Sequence, residues 1–159
     1  MFEKPQSEHN WLSQLVGDWV SESECQMGPD APPEKSSGRM SCRMLGGLWL
    51  IAEGTGDMPE GEPMTSIITL GYDPVKGKYV GNFIASVMTH LWPYSGALDD
   101  SGKRLPLDSE GPRFDGVEGM AKYRDTIEII DKDHWRFFGE MQVADGTWVR
   151  IMTSENRRA

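Results

Sequence analysis

The stretch Asp18-Trp19-Val20-Ser21-Glu22-Ser23-Glu24-Cys25-Gln26 decides the fold. Trp19, Ser21, Ser23 and Cys25 alternate with Val20, Glu22, Glu24 and Gln26, and only the second set carries charge. A period of two with one charged face is a half-buried strand whose second set looks outward. Immediately upstream, Ser7 to Leu15 reads as one short helix. Trp11 or Leu12 and Leu15 share a side, Ser7 serves as N-cap and Gly17 lies beyond the end.

Downstream the same grammar repeats. Alternating or β-branched and aromatic runs lie near 18–27, 37–45, 48–56, 63–72, 78–91, 94–99, 103–109, 119–131, 134–143 and 147–156. Turn chemistry separates them: Pro29-Asp30-Ala31-Pro32-Pro33, Gly46-Gly47, Asp57-Met58-Pro59-Glu60-Gly61, Asp73-Pro74-Val75-Lys76-Gly77, Asp99-Asp100-Ser101-Gly102, Asp131-Lys132-Asp133 and Asp145-Gly146. Glu110 to Gly119 reads as a longer glycine-rich connection. With hairpin-length connections and no crossover helix the strands are antiparallel, and closure removes the exposed edges. The expected fold class is all-β: an antiparallel up-and-down β-barrel of about ten strands with a short N-terminal helix, a single domain over residues 1–159. A two-sheet sandwich is the alternative, because it uses the same strands.

Composition narrows the function. The 25 acidic against 16 basic residues give a formal charge of −9, which argues against nucleic acid and anionic membrane surfaces as partners. There is no apolar run of spanning length, and the start MFEKPQSEHNW lacks the apolar core of a secretion signal, so a cytoplasmic location is expected. The 18 glycines and 10 prolines match the many turns. Cys25 and Cys42 form no C-x-x-C or zinc spacing and are expected to be reduced and apolar in role. His9, His90 and His134 write no short metal signature. The nucleophile elbow, the phosphate-binding P-loop and the dinucleotide fingerprint are all missing.

A ten-stranded barrel is wide enough for a cavity. Along Tyr79 to Trp92 neither face is charged; the face with Asn82, Ser86 and His90 is the better candidate lining. Arg124, within Tyr123-Arg124-Asp125, is either solvated or turned inward against Glu53, Glu110 or Glu140. The strand tryptophans Trp19, Trp49, Trp92, Trp135 and Trp148 read as core or as a cavity wall, and Met27, Met40, Met44 and Met64 as gap fillers or an adaptable pocket.

Several phrases together are familiar: His9-Asn10-Trp11-Leu12 with Leu15-Val16-Gly17-Asp18-Trp19, Gly46-Gly47-Leu48-Trp49-Leu50 and Leu70-Gly71-Tyr72-Asp73-Pro74. They continue with Tyr79-Val80-Gly81, Ser86, Leu91-Trp92, Tyr94-Ser95-Gly96, Glu110-Gly111-Pro112, Tyr123-Arg124-Asp125 and Asp145-Gly146-Thr147-Trp148. As a set they resemble the bacterial domain-of-unknown-function family 1579 over essentially the whole chain. The resemblance implies a calycin-like barrel akin in outline to lipocalins, fatty-acid-binding proteins and nitrobindins, and it carries over no catalytic residue.

The expected function is binding of a small apolar or amphipathic ligand inside the barrel, with Trp19, Ser86, His90, Trp92, Tyr123, Arg124 and Trp148 as ligand-binding residues. The alternatives are an acid–base isomerase or cyclase using Glu53 or Glu110 with Tyr123 or Arg124, and a filled barrel acting as an interaction module. No cofactor or metal is expected; haem on His90 or His134 is the competing cofactor reading. A homodimer could form through a sheet face.

Overall fold

The structure, a computed structural model, describes residues 2–26, 31–58 and 61–159. Helix α1 (Ser7–Ser13) precedes strands β1 (Gly17–Cys25), β2 (Glu34–Leu45), β3 (Trp49–Gly56), β4 (Met64–Asp73) and β5 (Lys78–Ala85). These are followed by β6 (Trp92–Gly96), β7 (Arg104–Pro112), β8 (Met120–Asp131), β9 (His134–Gln142) and β10 (Trp148–Arg158). Each strand pairs antiparallel with its sequence neighbours, and β1 pairs with β10 from Trp19↔Arg158 to Cys25↔Met152, so the barrel is closed. The sandwich alternative is thereby excluded. Met27, part of the Pro29–Pro33 loop and part of the Asp57–Gly61 loop lie outside the described residues.

The alternation in β1 is as expected: Trp19 and Ser21 are buried, while Val20, Glu22 and Glu24 are exposed. At β5 the outcome differs. The run expected over 78–91 stops at Ala85, where the chain turns with Ser86 N donating to Thr65 O at 2.8 Å and Met88 N to Ala85 O at 3.3 Å. Its inward face is also the other one. Tyr79 is buried and Phe83 faces the interior, whereas Ile84 is exposed and Asn82 bonds sideways to Thr69 at 3.1 Å. Exposed Lys78 lies on the outward face with Val80, Asn82 and Ile84, and packing against α1 fixes the inward one: the Tyr79 hydroxyl donates to Glu8 O at 2.8 Å. Strand β7 also runs on to Pro112, taking the first residues of the expected Glu110–Gly119 connection into the sheet.

One end of the barrel is shut. Helix α1 and the turn that follows it lie across this end, burying Leu12 and Leu15 against Trp19, Leu50, Leu70 and Trp135. Its N-cap is Gln6 rather than Ser7, because the Gln6 amide donates to His9 Nδ1 at 2.9 Å. Trp11 Nε1 reaches Gly102 O at 2.7 Å and ties the helix to the β6–β7 connection. The tight β2–β3 bend at this end needs left-handed backbone at Gly46 and Gly47, with φ of 62° and 73°.

Candidate functional site

Towards the other end the inward side chains shrink, and space opens. Along β2 and β3 the interior positions run from Cys42 through Met40 to Gly38, and from Leu50 through Ala52 to Gly54 and Gly56. Ser21 and Ser23 on β1, Ser66 on β4 and Ser154 on β10 continue this small lining. Facing it are Met40, Met64, Met88, Met152, Phe83 and Phe137, and together they bound a cavity of about 350 Å³ that opens at the rim of the barrel. The volume lies within the range of small-molecule sites. Thioether walls suit such a site because methionine adapts its shape at little cost.

The polar part of the lining is sparse and specific. Ser21 Oγ donates to Asn156 Oδ1 at 2.5 Å, and Ser23 Oγ to Ser154 Oγ at 2.9 Å. Asn156 is fully buried and its Nδ2 has no partner; Trp135, its neighbour across the β9–β10 pair, holds a second unpartnered donor at Nε1. Beside Met152 of the wall, Asp125 points inward from β8 and accepts a hydrogen bond from the Tyr94 hydroxyl at 2.5 Å. Burial pushes the Asp125 carboxyl up to about 6 despite the lowering effect of that bond, and burial with the adjacent carboxylate pushes the Tyr94 phenol well above its ordinary value.

The seven residues expected to bind ligand are not gathered in one place. Trp19 is buried at the closed end, where its Nε1 donates to Leu15 O at 2.8 Å and its edge meets Trp135 at 6.1 Å. Ser86, in the turn after β5, accepts from Thr65 N at 3.0 Å on the outside of the sheet. His90, in the β5–β6 connection, bonds Glu110 O through Nε2 at 2.9 Å and stands edge-on to Trp92 at 4.8 Å. Ser86 and His90 therefore do not share a strand face with Asn82.

Trp92 and Tyr123 pack together at 4.9 Å in a second cluster near the open end. Trp92 reaches the cavity indirectly, its Nε1 donating to Met88 Sδ at 3.0 Å. Arg124 and Trp148 lie on the outer face, with the guanidinium 4.3 Å from the indole centre and Arg124 Nε 3.1 Å from Asp108. They border an outer groove where β6 and β7 diverge after pairing only at Ser95↔Asp108 and Gly96↔Leu107.

The acid–base candidates sit elsewhere as well. Glu53 is exposed and pairs with Arg43 at 2.7 Å, Glu110 borders the outer groove, and neither lines the cavity. No histidine is among the cavity's lining residues; His134 is bonded to Glu155 at 2.5 Å. Neither His90 nor His134 is thus placed to ligate a haem from inside the barrel. Among the described residues no group of three or more metal-ligating side chains forms, and no helix is long and apolar enough to cross a membrane.

The lining that sequence reasoning missed is the set Gly38, Gly54, Gly56, Ser66, Ser154 and Asn156; Asp125, a candidate only as one of several acid–base carboxylates, lies beside the cavity rather than in its lining. Gly54 and Gly56 are two apart on β3 and Gly38 stands directly opposite Gly56 on β2, and that register was the signal available.

A family model described as a protein of unknown function, DUF1579, matches residues 4–158. No curated protein matches the chain significantly. Among solved structures, Rv2717c from M. tuberculosis is similar over 98% of this chain and 99% of that one, at 14% identity and a TM-score of 0.67. The S-type phycobiliprotein lyase CPES from Guillardia theta is similar over 98% of both chains, at 14% identity and a TM-score of 0.62. A designed barrel, EF1p2_mFAP2b bound to DFHBI, is similar over 96% of this chain and 99% of that one, at 10% identity and a TM-score of 0.50. At such identities the likeness concerns the fold.

Proposed function

Since the chain belongs to the DUF1579 family, which brings no activity with it, we propose from its own interior that it binds a small amphipathic ligand in the barrel. The observation that carries this is the cavity of about 350 Å³, walled by Met40, Met64, Met88, Met152, Phe83 and Phe137 and floored by hydrogen-bonding side chains. Apolar walls supply affinity through removal of hydrocarbon from water, and the few polar groups set orientation. A barrel serving only as a packed scaffold would fill this space, because each void forfeits dispersion contacts. The structures of similar fold include a barrel bound to DFHBI and a phycobiliprotein lyase, which is compatible with a ligand inside such a barrel.

The test is a fluorescence titration with Nile red of the wild type and of Gly56→Phe. A Cβ at Gly56 meets no atom within 4 Å, so the ring enters the cavity without backbone strain. The wild type should bind with emission shifted to the blue, and the variant should keep its circular dichroism while losing at least about ten-fold in affinity. Equal binding by both proteins would place the ligand outside the barrel and refute the proposal.

A further inference from the structure

Asp125 is a carboxylate turned into the barrel with half of its hydrogen-bonding capacity unused. It occupies an inward position on β8, between Tyr123 and Ile127, in register with Leu107 of β7 and Gly139 of β9. Tyr94 occupies Oδ2. Oδ1 has no partner among the described residues and lies over Gly139, where a Cβ would come within 2.9 Å of it and within 3.2 Å of Met152 Cγ. Asp125 is only part-buried although it faces inward; it is not itself one of the residues lining the cavity, and it adjoins that space through Met152, which lines it and flanks the same Gly139. The titratable groups facing it are the phenols of Tyr94 and Tyr123, and no cation compensates it. Lys122 and Arg124 on the same strand point outward.

Building on the proposed binding function, we propose that Asp125 receives a protonated amine, so that the ligand class is an apolar body carrying a basic nitrogen rather than a fatty acid. A buried carboxylate without a countercharge is costly, and an ammonium group restores the hydration it has lost. A ligand carboxylate in the same position would set two like charges side by side. The Met152 side chain next to Oδ1 continues into the methionine wall, which would take the hydrocarbon. The Tyr94 hydroxyl holds the carboxylate in place, as a positioning residue.

The experiment compares decylamine, decanol and decanoate by calorimetric titration at pH 7.5, with the wild type and Asp125→Asn. Asparagine still accepts the Tyr94 hydroxyl, so the barrel keeps that bond. In the wild type decylamine should bind about ten-fold more tightly than decanol, with decanoate weakest. In the variant the amine's advantage should shrink to about two-fold or less while decanol is unchanged. In unmutated protein, lowering the pH to 5 should erode the same advantage, because the carboxyl takes up a proton while the amine keeps its own. Binding of decanol with no preference for the amine, or a preference that survives in the variant, overturns the assignment and leaves the cavity proposal standing. Failure of all three to bind overturns both.

Discussion

Ser21 and Asn156 face each other across the β1–β10 seam that closes the barrel, with Ser21 Oγ donating to Asn156 Oδ1 at 2.5 Å while Asn156 Nδ2 stays buried and unpartnered. The serine thus holds an amide whose remaining donor has no partner in the protein. Ser21→Ala should destabilise the fold by about 1–3 kcal/mol, since it strands a fully buried acceptor. Urea denaturation measures this, and a change below about 0.5 kcal/mol would mean that the amide finds another partner.

Two glycines on the same wall should respond in opposite ways. At Gly38 a Cβ would lie 2.3 Å from Thr55 O, a backbone atom that cannot swing aside; at Gly56 it meets nothing within 4 Å. Gly38→Ala is therefore expected to cost about 2–3 kcal/mol, whereas Gly56→Ala leaves stability within about 0.5 kcal/mol of the wild type. Thermal unfolding of the pair checks the contrast, and equal midpoints would contradict it.

Asp125 makes stability depend on pH in a direction opposite to most carboxylates. Its folded-state value is raised from 3.8 to about 6, so the folded protein binds the extra proton and stability falls as pH rises through that window. Glu155, Asp115 and Asp145 are lowered and act in the other direction, their contribution being lost on acidification. The difference between wild type and Asp125→Asn isolates the effect: between pH 4 and 7 the wild type should lose about 2–3 kcal/mol relative to the variant. Denaturant midpoints measured across that range test it; a pH-independent difference would show that the carboxyl is not desolvated.

How far the sequence could be read follows from where charge marks a face. In β1 the Glu22 and Glu24 side chains label the outside, and the strand's parity was legible at once. In the 78–91 run the one charge is Lys78 at its first residue, which marks the even-numbered face as outward but was left out of the reading from Tyr79 on, and the β-branched and aromatic residues continue past Ala85, so both the end of β5 and its inward set were misjudged. Ser86 and His90 owed their candidacy to that extrapolation. The cavity itself was not legible, because Gly38, Gly54, Gly56 and Ser66 become one wall only when β2, β3 and β4 are aligned in register. Trp19 and Trp135 were recognisable as interior residues, but the sequence did not tell which end of the barrel they close. The overall fold needed none of this detail: alternation and turn chemistry are local, while the site is made by pairing between strands.

The outer face should show how exposure governs ion pairs. Glu128, with a side chain only 10% exposed, bridges Arg104 and Arg136, and Arg136 continues to Glu155. Glu53, 52% exposed, pairs with Arg43 alone. Glu128→Ala should cost about 2 kcal/mol, Glu53→Ala about 0.5 kcal/mol or less, and only the second loss should vanish in high salt. Denaturation at two ionic strengths checks both, and equal losses would show that the Glu128 network is solvated.

The most direct measurement of a ligand inside the barrel is a methyl NMR titration of protein carrying ¹³C-methyl methionine, with decylamine as the probe. Met40, Met64, Met88 and Met152 line the cavity, while Met44 packs against the core at the closed end and Met120 is exposed. The first four methyl signals should move together and saturate, with Met44 and Met120 unmoved. Shifts confined to Met120, or four cavity methyls that stay in place while decylamine binds, would contradict the account.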